Sequence, residues 1–166
     1  YVAGDGNLVD NSDGTWDLNV PTILSDNTYS VTVTVTDAAG NASIDITTAE
    51  LIIDTLAPAV PTVTALNTSN TTPIIQGTAI VAPGEILTVM VNGVTYAAGD
   101  GSLADNGDGT WALSIPVPLA DGTYEVTCTV TDAAGNATND VTAAELVIDT
   151  TAPTIPTVVS QNTSNI

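Results

Sequence analysis

Apolar and polar residues alternate with a period of two along most of the chain. The alternation has no exception across residues 124–131, and residues 29–36 repeat it. This pattern predicts a β-strand with one face in a core and a threonine-covered face in water. Shorter alternating runs predict further strands at residues 86–91, 110–115 and 141–148. Helical periodicity is weak, so the sequence predicts an all-β fold.

The sequence also repeats itself at a spacing of 95 residues. Residues 1–71 align without a gap to residues 96–166, and 46 of those 71 positions are identical. A period of this length is the size of one small domain. We therefore predict a complete repeat at residues 56–150. Residues 1–55 would be the C-terminal part of another repeat, and residues 151–166 a joint and the first strand of a third.

The strands of one repeat predict an immunoglobulin-like β-sandwich, which needs seven short strands in about 100 residues. The dipeptide Asn92-Gly93 favours a tight hairpin turn between two of them. In the usual lettering we expect A after Pro61, B at 74–79, C at 86–91, D near 94–98, E from Trp111, F from Tyr124 and G at 141–148. Residues 1–55 then supply only strands D to G, which leaves one apolar face uncovered.

The net charge of the chain limits the classes of partner that it can bind. It has 19 Asp and Glu residues and no Lys, Arg or His, for a formal net charge of −19. Such a surface repels nucleic acids and anionic membranes and attracts cations. The apolar fraction of 43% is too high for an acidic disordered segment. No apolar run is long enough to span a bilayer, so we expect neither nucleic-acid binding nor direct membrane insertion.

The composition also lacks most of the side chains that enzymes use for catalysis. Nucleophilic catalysis lacks its usual base because no His, Lys or Arg is present. The single cysteine, Cys128, stands where the first copy has Val33, which favours a small buried hydrophobe. Paired carboxylates can in principle act on glycosides, but nothing in the sequence marks a cleft. We expect the protein not to be an enzyme.

Four motifs occur twice in the same order, in identical or near-identical form: DNGDGTW, LADGTYEVT, VTDAAGNA and IDTTAPTIP. Together they resemble the tandem bacterial Ig-like repeats of giant secreted adhesins, including the RTX-type and biofilm-associated surface proteins of Gram-negative bacteria. The resemblance implies an extracellular, calcium-stiffened stalk that is anchored at the outer membrane through other regions. It also implies that the adhesive ligand binds elsewhere in the parent protein.

The sandwich topology places several acidic residues at the joint between repeats. The FG and BC loops of one repeat should meet the incoming joint, together with the EF loop of the preceding repeat. Calcium takes 6 to 8 oxygen ligands and tolerates irregular geometry. No basic side chain is present to neutralise a cluster of carboxylates. We therefore expect Ca²⁺ ligands among these residues and their equivalents in the other copy: Asp26, Asp37, Asp54, Glu85, Asp121, Asp132, Asn136 and Asp149.

A turn is the alternative for several of these acids. Asp37 and Asp132 begin an Asp-x-x-Gly sequence, in which Asp bonds back to the backbone and Gly takes the left-handed conformation. For both residues, turn and ligand stay open, and one residue can do both. Asp121 precedes Gly122 and has the same two interpretations. We assign three further acids to hairpin turns: Asp100, Asp105 and Asp108.

The aromatic residues are interpreted as structural. Tyr124, and Tyr29 in the first copy, lie where a tyrosine corner bonds back to the chain that enters strand F. Trp16 and Trp111 begin strand E and suit packing at the core edge rather than sugar stacking. The leading hypothesis is a structural repeat whose stiffness is set by calcium and by neighbouring repeats of the same chain. The alternative is a glycan- or surface-binding Ig-like module.

Overall fold

A computed structural model describes residues 1–162 of the chain. The chain divides into two compact units, Tyr1–Leu56 (unit 1) and Ala57–Ile166 (unit 2). The described residues form β-strands, turns and bends with no α-helix, which confirms the all-β prediction. Accordingly, no helix in the described part is long and apolar enough to cross a membrane.

All strands are short. Unit 1 has β1 (Leu8–Asp10), β2 (Trp16–Leu18), β3 (Asn27–Tyr29), β4 (Thr34–Thr36), β5 (Ala42–Ile44) and β6 (Leu51–Ile53). Unit 2 has β7 (Thr62–Val63), β8 (Leu66–Thr68), β9 (Ile74–Thr78), β10 (Ile86–Val91), β11 (Val94–Ala97), β12 (Leu103–Asp105), β13 (Thr110–Ser114), β14 (Gly122–Tyr124), β15 (Val126–Thr131), β16 (Ala137–Asn139) and β17 (Leu146–Ile148).

Unit 2 is a sandwich of two four-stranded sheets with orders β12-β13-β9-β7 and β11-β10-β15-β16. A smaller sheet, β14-β17-β8, extends the fold, and within it β8 and β17 run parallel. Strands alternate inward apolar and outward polar side chains, as in the β15 burial pattern of alternating buried and half-buried residues. The two inner faces supply one apolar core, which is the packing expected of an immunoglobulin-like sandwich.

Trp111 is the largest side chain of that core and is fully buried. It lies opposite Gly77 in the β13–β9 register, and its Nε1–H donates to the Thr62 carbonyl at 3.2 Å. A Cβ atom at Gly77 would meet the indole ring at 2.6 Å and would also overlap the Thr62 carbonyl oxygen. The indole ring of Trp111 therefore packs directly on the backbone of Gly77, and we call this space the Trp111 slot. Only glycine fits at position 77, because any side chain would overlap the ring.

Cys128 is also fully buried, on the inward face of β15. Burial raises the pKa of its thiol to about 12, with a smaller contribution from the nearby Asp140 carboxylate. At neutral pH the sulfur is a protonated, unreactive thiol that packs as a small hydrophobe.

The strand predicted near residues 94–98 is present as β11, but its assignment as strand D is wrong. Asn92 and Gly93 both have positive φ, 50° and 76°, which is the two-residue hairpin turn. This turn folds β11 back onto β10, so residues 94–97 form an edge strand of the same sheet. The strand beside β13 in the opposite sheet is β12, within a segment that the sequence interpretation assigned to turns.

Strand G is not continuous over residues 141–148 as predicted. It consists of β16 and β17, and Val141 between them is 86% exposed. Ala144 has φ 61°, which breaks the extended backbone. Two carboxylates replace the missing ladder bonds to β15: Asp140 accepts from Cys128 N–H at 2.8 Å and Glu145 from Val126 N–H at 3.1 Å.

Unit 1 has the strands of the second half of a sandwich only. Its six strands form three separate pairs, β1-β2, β3-β6 and β4-β5, with the same pairing as their counterparts 95 residues later. None of residues 1–56 is buried, all of them being described. Residues 151–162 form no strand, so the first strand predicted within residues 151–166 is absent from the described part. Residues 163–166, also within that prediction, lie outside the described residues.

We expect Gly77→Ala to destabilise unit 2 by about 1–3 kcal/mol, because the added methyl overpacks the Trp111 slot. Gly122→Ala is the matched control: its added Cβ would meet only the Tyr124 ring at 3.7 Å, an ordinary contact. Urea unfolding of both variants, followed by Trp111 fluorescence in a Trp16→Phe background, measures the difference. Equal midpoints for the two variants would contradict the slot.

Candidate functional site

The chain leaves each unit through an aspartate–threonine clamp. In unit 2 the Asp121 carboxylate accepts from Thr150 N–H at 3.1 Å and from the Thr150 hydroxyl at 2.8 Å. In unit 1 Asp26 accepts the same two bonds from Thr55, at 3.2 and 3.0 Å. The clamp links residues 29 positions apart and fixes the first residue of the joint against the preceding turn. We call this pair of contacts the exit clamp.

A second aspartate lies beside each exit clamp. The register Gly122–Ile148 places Asp121 and Asp149 next to each other at the end of β14 and β17. Asp149 Oδ1 accepts from Thr151 N–H at 2.9 Å. In unit 1 the equivalent Asp54 accepts from Leu56 N–H at 3.0 Å. Each exit from a unit thus carries two adjacent carboxylates.

Hydrogen bonds at the exit lower the pKa of Asp121 below its ordinary value of 3.8. The side-chain bond from Thr150 is the main cause, followed by the backbone bond from the same residue. The charged form of Asp121 is therefore favoured in the folded state. Its contribution to stability is present above pH 3.8 and is lost only as the pH falls through the lower folded value.

The segment that enters unit 2, residues 57–61, is held by the rest of that unit. The Thr138 hydroxyl, on β16, donates to the Pro58 carbonyl at 2.8 Å. Pro58 and Pro61 are both buried in this unit. We call this contact the incoming clamp. Proline has no N–H to satisfy, so two prolines here can be buried without orphaned donors.

Asp132 forms the turn that the sequence left open. Its Oδ1 accepts from Ala134 N–H and Asn136 N–H, both at 2.9 Å, and its Oδ2 accepts from the Asn136 side chain at 2.8 Å. The Asn136 side-chain bond is the main cause of the lowered pKa of Asp132. Asp37 repeats this arrangement in unit 1 with Asn41. A carboxylate can accept about four bonds, so the turn role does not exclude a ligand role.

Glu85 closes the neighbouring loop and lies at the same end of the sandwich as Asp132. Its Oε2 accepts from Ala82 N–H at 2.8 Å. The register Ile86–Thr131 brings Glu85 and Asp132 to adjacent strand ends. The incoming end of unit 2 therefore carries one carboxylate pair and the outgoing end another.

No group of three or more His, Cys, Asp or Glu side chains that could hold a metal ion is present in residues 1–162. Within a unit, six of the eight predicted ligands lie in pairs: Asp26 with Asp54, Asp121 with Asp149, and Glu85 with Asp132. Asp37 and Asn136 belong to the two Asp-Asn turns. Their oxygens are of the type that calcium prefers. A pair alone does not supply the 6 to 8 oxygens of a calcium site, so the site stays a prediction that needs further donors.

The predicted structural tyrosines make the bond of a tyrosine corner. The Tyr124 hydroxyl donates to the Ala120 carbonyl, and the Tyr29 hydroxyl donates to the Ser25 carbonyl, both at 2.9 Å. These bonds fix the turn that carries Asp121 and Asp26. The tyrosines thereby position the acceptors of the exit clamps.

Two sets of contacts were not anticipated from the sequence. One is the incoming clamp, whose donor and acceptor are 80 positions apart. The other is the pair of carboxylates that bridges the break in strand G, Asp140 and Glu145. Their signal was present, because both acids recur as Asp45 and Glu50 at the 95-residue spacing.

We expect Thr150→Val to raise the pKa of Asp121 towards 3.8, because the variant lacks the hydroxyl that mainly lowers it. NMR titration of the Asp121 carboxyl carbon from about pH 2 to pH 6 measures the change. The titration of Asp132 serves as the internal control and should not move. An unchanged Asp121 titration would mean that the exit clamp is not formed in solution.

Comparison with known proteins supplies one family. Residues 2–55 and 64–150 match the family model described as bacterial Ig-like domain. No curated protein matches the chain. Among solved structures, the chain is similar to SGBP-B of the Bacteroides ovatus mixed-linkage glucan utilization locus, in complex with a mixed-linkage heptasaccharide. Identity is 17%, the match covers 86% of this chain and 34% of that chain, and the TM-score is 0.33. The chain thus spans about a third of that protein's length.

Proposed function

Because this chain belongs to the bacterial Ig-like domain family, we propose that it is a structural extender repeat of a secreted bacterial adhesin. Its role is to hold successive domains at a fixed spacing and direction. Calcium at the joints adds stiffness, and the adhesive ligand binds elsewhere in the parent protein. The protein would lie outside the cell, on the bacterial surface, and would have no enzymatic activity.

The observation that carries this proposal is a joint held from both sides. Asp26 of unit 1 binds Thr55, and Thr138 of unit 2 binds the Pro58 carbonyl. Only Leu56 and Ala57 lie between the two clamped residues. We propose that this short unclamped stretch makes the joint resist bending. A flexible Gly/Ser linker would behave as a random coil instead.

The exit clamp recurs at the 95-residue spacing, which a spacer function explains. Asp121 and Thr150 reproduce the Asp26–Thr55 contact with the same donors and acceptors. A ligand-binding site would need to occur only once in a chain. A contact that sets the direction of the next domain must occur at each joint, because a single flexible joint would let an extended array of repeats bend.

Calcium is the second part of the proposal, and the charge distribution supports it. The outgoing end of one repeat carries Asp26 and Asp54, and the incoming end of a repeat carries Glu85 and Asp132. Like charges brought together at a joint repel each other, and the chain has no basic side chain to offset this. These four carboxylates, with backbone carbonyls, the Asn136 amide and waters, would supply the oxygens that a calcium ion needs.

A glycan-binding module is the alternative. Sugar recognition usually uses exposed aromatic rings, whereas in unit 2 Trp111 is fully buried and Tyr124 is engaged in its corner. Tyr96, the third aromatic residue of unit 2, is partly buried and packs against the core, so the aromatic residues of this sandwich serve the fold. A direct binding assay of unit 2 against soluble glucans and host glycans discriminates the two functions.

We expect an array of three copies of residues 56–150 to scatter X-rays as a narrow rod. Thr150→Val combined with Thr138→Val should broaden the distribution of shapes in calcium and in chelator alike, because the exit clamp loses its hydroxyl bond and the incoming clamp is lost. Asp105→Ala is the control and should keep the rod, since its carboxylate caps only the Gly107 N–H of a hairpin. A double variant as straight as the parent would contradict the clamped joint.

The melting temperature of the same three-repeat array tests the calcium part of the proposal. At about ten times the dissociation constant a ligand stabilises the folded state by about 1.4 kcal/mol, and the melting temperature should rise by about 5–10 °C over that in EDTA. Asp149→Ala should abolish most of this rise, since it removes one of the two exit carboxylates. Equal melting temperatures in calcium and EDTA would remove calcium from the proposal while leaving the clamps untouched.

A further inference from the structure

One sheet of unit 2, β11-β10-β15-β16, has an outer face without charged side chains. Alternate residues of its strands point into the core, and the strand registers align the residues between them on the outward side. Ten residues lie on that side, and none of the ten, all within the described part of the chain, is charged: Ile86, Thr88, Met90, Thr95, Ala97, Thr127, Thr129, Thr131, Ala137 and Asn139. We call this surface the neutral face.

The opposite sheet does not keep an uncharged outer face in both copies of the repeat. Ala112 lies on its outward side, between the buried Trp111 and Leu113. Its counterpart 95 positions earlier is Asp17. Six outward positions of the neutral face have counterparts in unit 1, and all six are uncharged: Val2, Thr32, Thr34, Thr36, Ala42 and Ile44. The absence of charge thus recurs on the neutral face and does not recur on the opposite one.

Two large apolar side chains are exposed on the neutral face. Ile86 is 59% exposed and Met90 is 43% exposed, and they lie on either side of Thr88 along β10. Covering them is favourable, because it removes apolar surface from water. The neutral face therefore offers a hydrophobic gain to a partner that packs on it.

The charge of the chain selects the kind of partner for this face. The net charge is −19 with no basic side chain, so two copies repel each other wherever their carboxylates meet. At the neutral face two copies can meet with carboxylates only at the border, where Glu85 and Asp132 lie at one end and Glu125 at the other. A basic partner would instead be attracted to the acidic turns. The face fits a partner that is uncharged at the contact, and a second copy of the chain has such a face.

We propose that the neutral face binds a second copy of this chain, with the two sheets packed face to face. Stacked sheets lie about 10 Å apart, which lets the side chains of the two faces interdigitate. A two-fold axis in the plane of the contact, crossing β10 at Thr88, would place Ile86 of each copy opposite Met90 of the other. This association goes beyond the proposed spacer function and does not involve the joint.

The area of the neutral face predicts a weak contact for one repeat. Four strands about 4.8 Å apart, the longest with six residues at about 3.4 Å each, give a face of roughly 400 Å². Two such faces bury about 800 Å², which is less than the roughly 1,200 Å² of a stable interface. One repeat should therefore associate only at high concentration, whereas tandem repeats that engage side by side would add their contacts.

Disulfide trapping on the full chain tests the proposal. Thr88→Cys places a thiol on the proposed axis, so that the new thiols of two copies meet and oxidised glutathione can link them. The native Cys128 does not compete, because it is buried. We expect a linked dimer whose yield rises with the concentration of the chain, up to about 1 mM, and with salt, which screens the border carboxylates. Met90→Glu in this background should lower the yield about tenfold, because it adds a charge to the apolar contact.

Gln76→Cys is the matched control, because Gln76 is exposed on the outward side of β9 in the opposite sheet. Its dimer yield should stay severalfold below that of Thr88→Cys. Gln76→Glu, which adds the same charge as Met90→Glu, should leave the yield of Thr88→Cys unchanged. Equal yields from the two cysteine variants would overturn the proposal, since they would assign the trapping to random collision or to exposed apolar side chains of unit 1. No dimer at high salt, or a yield that Met90→Glu leaves unchanged, would overturn it as well.

Discussion

Carboxylates in this structure are stabilised by hydrogen-bond donors of the chain and not by basic side chains. With 19 acidic residues and no Lys, Arg or His, no side-chain ion pair can form. Backbone N–H and hydroxyl groups take that role, and their bonds lower the pKa of many acids: Asp5, Asp13, Asp37, Asp45, Glu50, Asp100, Asp108, Asp121 and Asp132. Because an acceptor must lie where a donor is otherwise unpaired, the acids concentrate at turns, strand breaks and joints. The shape of the chain between its strands follows from this constraint.

Glu145 is the extreme case of the same constraint. It is only 4% exposed, and its Oε2 replaces a ladder partner for Val126 N–H, 19 positions away. Its Oε1 is buried and has no hydrogen-bond partner among the described residues. Burying a carboxylate oxygen without a hydrogen-bond partner costs free energy. The bond from Val126 N–H to Oε2, which bridges the break in strand G, offsets part of this cost. Glu50 makes the equivalent bond to Val31 in unit 1, where the surroundings are open. The bridge is thus present in unit 1 without the first half of a sandwich.

The strands could be predicted wherever alternation and a turn signal agree. Strand C at Ile86–Val91 and the hairpin at Asn92-Gly93 follow from six and two residues respectively, because period and turn chemistry are local properties. Strand D was assigned to the wrong sheet. The alternation of residues 94–97 predicts a strand but does not predict which neighbouring strand it pairs with. The hairpin turn decided the pairing. Strand G was overextended because the positive φ of Ala144 has no residue-type signal. Of the joint, the acids could be identified from their recurrence, whereas the Thr138–Pro58 bond joins positions too distant for any local pattern.

Units 1 and 2 share a closely similar sequence, but only unit 2 contains the strands β8, β9 and β10. The exit clamp, the tyrosine corner and the Asp-Asn turn are present in both, since each is made within residues 1–56 or its counterpart. The core is present only in unit 2, because burial needs the opposite face. Local contacts at the ends of a repeat are therefore independent of the packing in its middle. This separation suits a repetitive protein: the sandwich core can tolerate Ile115 for Val20 or Cys128 for Val33, while the residues that direct the chain from one repeat to the next, Asp26 and Thr55, recur unchanged as Asp121 and Thr150.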